Sequence, residues 1–172
     1  MIRFIRRKFG YKRNTPVYNA NKLIVKKNSN ANANLHKSFL NGNITNMLVP
    51  LRTNRGFGLD PSHFPGAMRR AGRKWALVNK NTGQVRAFAL GNNLGNNGRA
   101  VEIDMFAAFH GHGSKLMNEI KKNVNRIVLN SIANNFYTKQ NFKHISPLTM
   151  EWTKNPLKRK RNNNNKWRKD RI

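Results

Sequence analysis

Residues 101–142, VEIDMFAAFHGHGSKLMNEIKKNVNRIVLNSIANNFYTKQNF, hold the pattern that decides the fold. Over 101–107 apolar and polar residues alternate closely enough for a half-buried strand. Gly111, His112 and Gly113 then thin out the side chains at a turn. From Ser114 onward the spacing of Leu116, Met117, Ile120 and Val124 is that of a helix with one apolar face, and these four side chains are expected in the core. A strand that feeds a glycine-rich helix start is an anion cradle. Glycines let backbone N–H groups approach an oxyanion, and the unpaired donors and positive dipole end of the helix face it. Residues 126–129 (RIVL) read as a second short apolar strand, and 136–142 (FYTKQNF) follow after a polar gap.

In this order the segments resemble the GNAT N-acetyltransferase superfamily. In that family a fourth strand ends in a loop of the form Gln/Arg, any, any, Gly, any, Gly/Ala, and a later segment reads Phe-Tyr, any, Lys, any, Gly-Phe. Here GHGSKLM, RIVLNS and FYTKQNF stand at the corresponding places. Residues 75–79 (WALVN) and 85–90 (VRAFAL) fit the preceding hairpin, and 148–152 (LTMEW) fit the closing strand, so the resemblance spans residues 60–152. The sequence departs from the pattern at Ala108, where the loop motif has Gln or Arg, and at Asn141, where the later motif has Gly. The resemblance implies an α+β fold with a mixed central sheet flanked by helices.

It also implies a chemistry, with acetyl-CoA as cofactor. The backbone of Gly111, His112, Gly113 and Ser114 would hold the pyrophosphate, and Tyr137 matches the tyrosine that protonates the leaving thiolate. Glu102 or Asp104, expected on the same face as Phe106 by the period of two, would take the amine's proton directly or through water. Ordinary roles compete with these. Tyr137 also fits a packed aromatic, and the two acids fit ion-pair partners in a chain with 34 Lys and Arg against 6 Asp and Glu.

The net charge of +28 points to a polyanionic partner. Residues 1–59 hold 12 basic and no acidic residues, 60–152 hold 13 and 5, and 153–172 hold 9 and 1. We therefore expect a basic, Asn-rich N-terminal arm over 1–59, a GNAT-like domain over 60–152 and a basic C-terminal tail over 153–172. The opening run MIRFIRRKFGYKRN is open to three readings: an Arg-rich targeting segment, a basic arm on nucleic acid or an anionic membrane, or a peptide threaded into a larger assembly. An arm is the reading adopted here. Arg3, Arg6, Arg7 and Lys8, with Lys158, Arg159, Lys160, Arg161, Trp167 and Arg168, are its expected contacts and those of the tail. Asn28, Asn30, Asn32 and Asn34 are read as solvated spacers.

Other chemistries find no support in the residues. There is no cysteine, which removes disulfides, thiolate ligands and a Cys nucleophile and fits a reducing intracellular compartment or a virion. His110 and His112 lack a carboxylate or Cys at ligand spacing. GHGSK lacks the order of a P-loop. No apolar run approaches the ~20 residues that span a bilayer. Two function classes remain: an acetyl-CoA-dependent N-acetyltransferase, and a non-catalytic GNAT-fold structural protein of a virion, minor capsid or ribosome-associated particle that uses its arms to bind neighbours, nucleic acid or an anionic surface.

Overall fold

The structure, a computed structural model, describes residues 23–48, 60–131 and 134–154. The elements in chain order are β1 (Leu23–Lys27), α1 (Asn28–Leu40), α2 (Asn43–Leu48), a 3₁₀ turn (Pro61–His63), α3 (Phe64–Arg70), β2 (Arg73–Asn79), β3 (Val85–Asn93) and β4 (Ala100–Ala108). They continue with α4 (Gly113–Asn123), β5 (Arg126–Asn130), α5 (Asn134–Lys139), β6 (Lys143–His144) and β7 (Thr149–Thr153). The strands form one mixed sheet in the order β1-β2-β3-β4-β5-β7-β6. Neighbours are antiparallel except β4 and β5, which run parallel and are joined through α4.

The strand, turn, helix and strand expected over 101–129 are present, as are the preceding hairpin and the closing strand. The expected N-terminal boundary is corrected. Residues 23–48, read as arm, supply an edge strand paired with β2 and two helices that cover the sheet. The remainder of the proposed arm and all the residues named for it and for the tail (Arg3, Arg6, Arg7, Lys8, Lys158, Arg159, Lys160, Arg161, Trp167, Arg168) lie outside the described residues.

Two apolar clusters sandwich the sheet. On one face α4 buries Leu116, Met117 and Ile120 against Leu77, Ala89 and Ile127. On the other, Leu35, Ile44, Leu48 and Phe64 from α1, α2 and α3 pack on Val78, Phe88 and Leu90. Phe64 stacks with Phe39 at 5.2 Å and meets Phe88 edge-on at 5.2 Å, closing that second layer. Central strands buried on both sides explain the continuous apolar runs of β2 and β3. No helix among the described residues is long and apolar enough to cross a membrane.

One irregularity sets the positions of the functional candidates. Leu90 pairs with Met105, but Gly91 pairs with Ile103, so Asp104 is an extra residue in a β-bulge. Val101 and Ile103 face α4; beyond the bulge the parity reverses, so that Met105 and Ala107 join the opposite cluster and Phe106 and Ala108 face α4. The strict period of two expected for Glu102, Asp104 and Phe106 is therefore broken. Gly91 is what permits the bulge: a Cβ there would lie 2.0 Å from the Glu102 carbonyl oxygen.

Candidate functional site

β4 pairs with β5 only from Ala100–Arg126 to Ile103–Leu129, yet β4 itself continues to Ala108 alongside β3. The two strands thus part at Asp104. The turn after β4 is anchored by the Phe109 N–H donating to the Arg86 carbonyl at 3.0 Å and the His112 N–H donating to the Phe109 carbonyl at 3.1 Å. Gly111 takes φ 83°, the left-handed region that glycine enters at little cost, and α4 begins two residues later. Gly113 is closely packed: a Cβ there would stand 3.2 Å from the Phe136 ring and 3.4 Å from the Ala108 Cβ, so a side chain would fit only if these neighbours gave way slightly.

The start of α4 carries no side-chain cap. Its first-turn amides have no acceptor within the helix by geometry, and Gly113 and Ser114 belong to that turn. The Ser114 hydroxyl accepts from the Gln140 side-chain amide at 3.1 Å, which ties the helix start to the segment after α5. His112 sits among cations. Burial lowers its pKa first, and the charges of Arg86, Lys115 and His110 lower it further, so the neutral imidazole is favoured. Arg86, an extra residue in a second bulge opposite Leu77 and Val78, places its guanidinium 5.8 Å from the Phe109 ring centroid. Sequence reading passed over Arg86 because nothing in β3 alone shows that it reaches the loop after β4. Among the described residues no group of His, Asp and Glu could hold a metal.

Tyr137 projects from α5 into an aromatic cluster, edge-on to Phe106, Phe136 and Phe142 with centroids 6.1, 5.0 and 5.4 Å away. It is 6% exposed, so the packing expectation holds for its ring. Its hydroxyl takes no hydrogen-bond partner among the described residues. Burial pushes its pKa well above the ordinary phenol value, which keeps it protonated through neutral pH. Asn141, standing where the family pattern has Gly, takes φ 61°; asparagine is one of the few other residues that tolerate this conformation.

Glu102 and Asp104 are exposed on β4, and among the described residues neither has a Lys or Arg at ion-pair distance. The ion pairs present join Lys122 to Glu119 and Arg126 to Glu151. Glu102 lies in the closed part of the sheet, opposite Asn92 on one side and Val128 on the other. Asp104 lies at the point of parting. Although the residue as a whole is exposed, partial desolvation of its carboxylate raises its pKa above the ordinary value, opposed by a hydrogen bond from Asn92 and by the charge of Arg70. Toward the far end of α4, Lys121 donates to the Gln140 carbonyl and lies 5.0 and 5.2 Å from the Phe142 and Trp152 ring centroids. Burial lowers its pKa to about 8.

No family model and no curated protein matches this sequence. Solved structures do match its backbone. Ard1 from Thermoplasma volcanium superposes with a TM-score of 0.51 at 16% identity, over 77% of this chain and 97% of that one. A putative acetyltransferase of the GNAT family from Desulfovibrio desulfuricans gives 0.52 at 8% identity, over 76% and 98%. The parallel β4–α4–β5 unit, the strands that part beside it and these superpositions together make the chain a GNAT-fold protein, divergent in that its likeness to the others lies in the path of the backbone rather than in residue identities.

Proposed function

We propose that this GNAT-fold domain is an acetyl-CoA-dependent N-acetyltransferase. The observation that carries the reading is the parting of β4 from β5 at Asp104, on the strand that leads to the α4 start and whose Phe106 meets the Tyr137 ring edge-on. Beyond Ile103 the β5-facing edge of β4 has no strand along it among the described residues, and an extended, amide-bearing chain such as pantetheine can pair with such an edge. The pyrophosphate of the same cofactor would then lie at Gly111, His112, Gly113 and Ser114, with Arg86 and Lys115 near His112 adding positive charge.

Transfer joins the acceptor nitrogen to the acyl carbon and breaks the carbon–sulfur bond. Asp104, with its raised pKa, takes the proton lost by the amine, directly or through water, and Glu102 is the second carboxylate on the same strand. Tyr137, held protonated by burial, gives a proton to the departing thiolate. Proton exchange with solvent resets both groups.

Calorimetry with acetyl-CoA at about 0.3 M salt, where nonspecific attraction to a +28 chain is largely screened, tests the reading. Saturable binding is expected, and Ser114→Glu should abolish it by setting a carboxylate at the helix start while leaving the fold intact. Absence of binding by the unaltered protein would overturn the enzyme and favour a scaffold. With a lysine-containing peptide as acceptor, Tyr137→Phe should lower turnover by about 10²-fold, as for loss of a general acid. A tyrosine that only packs would leave turnover unchanged.

A further inference from the structure

We infer that Asn92 is a positioning residue for Asp104, holding one carboxylate oxygen so that the other is presented at the parting of β4 and β5. The inference rests on the reading of Asp104 as the proton acceptor. The Asn92 Nδ2 donates to Asp104 Oδ2 at 3.0 Å, and the Asn92 Oδ1 accepts from the Gly72 N–H at 2.9 Å. These two contacts fix the orientation of the amide, because only its oxygen can accept from a backbone N–H and only its nitrogen can donate to a carboxylate. Gly72, in the connection from α3 to β2, approaches closely: a Cβ there would lie 3.3 Å from the Asn92 oxygen. The strut therefore runs from backbone through Asn92 to one oxygen of Asp104.

The bulge explains why a strut is needed. Asp104 has no residue opposite it on β3 and stands one residue beyond the last β4–β5 pair, so the sheet itself does not constrain its side chain. Glu102 sits directly across from Asn92 but makes no hydrogen bond with it. The charged group reaching Asp104 from the helix layer is Arg70 of α3. On its own strand Glu102 lies two residues away; α2, on the same side, has no titratable residue; and on β3, Arg86 faces the loop after β4 instead. Asn92 and Arg70 both favour the ionised carboxylate, against burial.

The chain has three aspartates, Asp60, Asp104 and Asp170, so carbon-13 labelling of aspartate carboxyls yields a short spectrum in which Asp104→Asn identifies the Asp104 signal. Loss of a donor to the ionised form must raise the pKa. Asn92→Ala should move the Asp104 midpoint upward by about half a pH unit or more, with Asp60 unmoved. Asn92→Leu, close in size and without a donor, should do the same and guards against a folding defect in the first variant. A midpoint that stays in place or falls in the folded variants would overturn the inference. In turnover with the lysine-containing peptide, the acid limb of kcat/KM should shift in the same direction while KM for acetyl-CoA stays within about twofold, a split that a structural defect at the cofactor cleft would not give. Failure of acetyl-CoA to bind the unaltered protein would refute the enzyme reading separately, since the carboxyl titration does not depend on it.

Discussion

Helices α1 and α4 cover opposite faces of one sheet and are made helical by different means. In α4, large apolar side chains at Leu116, Met117 and Ile120 are fully buried, and Lys121 and Lys122 stand in the last turn, where they suit the helix dipole. In α1, NSNANANLHKSFL, the buried side chains are Ala31, Leu35 and Ser38, a stripe with one large apolar residue that is nearly invisible among asparagines. Asparagine is a mediocre helix former, the first residue has φ 46°, and no side chain caps the start. What makes α1 helical is its seat on the sheet. Amphipathicity is thus a sufficient sign of a helix but not a necessary one, because tertiary burial can carry a segment of weak propensity.

Substitutions break or sharpen this contrast. The strongest test falls on the α1 side, where Phe64→Ala removes the ring joining Phe39 to Phe88 and should cost about 3–5 kcal/mol in urea unfolding. Next come Leu35→Ala and Leu116→Ala, one on each helix, each expected to cost about 2–5 kcal/mol. Similar losses would establish that the asparagine-rich helix is held by its core as firmly as the amphipathic one; a negligible loss for Leu35 would show that α1 merely lies against the sheet.

A smaller, pH-dependent effect belongs to α4. Since the folded-state pKa of Lys121, about 8, lies below that of an exposed lysine, the folded protein binds fewer protons than the unfolded chain above that pH. Its contribution to stability should accordingly rise between pH 8 and 10, and urea midpoints of the parent protein should climb relative to those of Lys121→Met over that window. Equal climbs in both would show that Lys121 is solvated like other lysines. Smallest of all, exposed Asn32→Ala on α1 should stabilise by about 0.5 kcal/mol through propensity alone.

The site was only partly legible. The glycine turn and the helix it opens followed from local spacing, since each depends on residues close in the chain, and Tyr137 was marked by the family resemblance of its segment. The faces of Glu102 and Phe106 were misjudged because a single unopposed residue, Asp104, reverses the parity of β4, and the cause of that reversal is Gly91 on the neighbouring strand. Arg86 and Asn92 escaped notice for the same reason: they reach their partners across strands rather than along them. Among the described residues neither acid has a Lys or Arg at ion-pair distance: Arg70 acts on Asp104 only through its field, and Arg73 donates instead to Asn93 and the Gly98 carbonyl.

By itself, then, the sequence determined the strand, turn, helix and strand of 101–129, because side-chain periodicity is a local property of helices and strands, while the mixed α+β sheet was what the family resemblance implied. Only the tertiary structure decided that residues 23–48 complete the sheet and cover it, that β4 reverses its faces at Asp104, and that β4 and β5 part there. Those outcomes depend on register and burial between segments far apart in the chain, and no short window of sequence contains both partners.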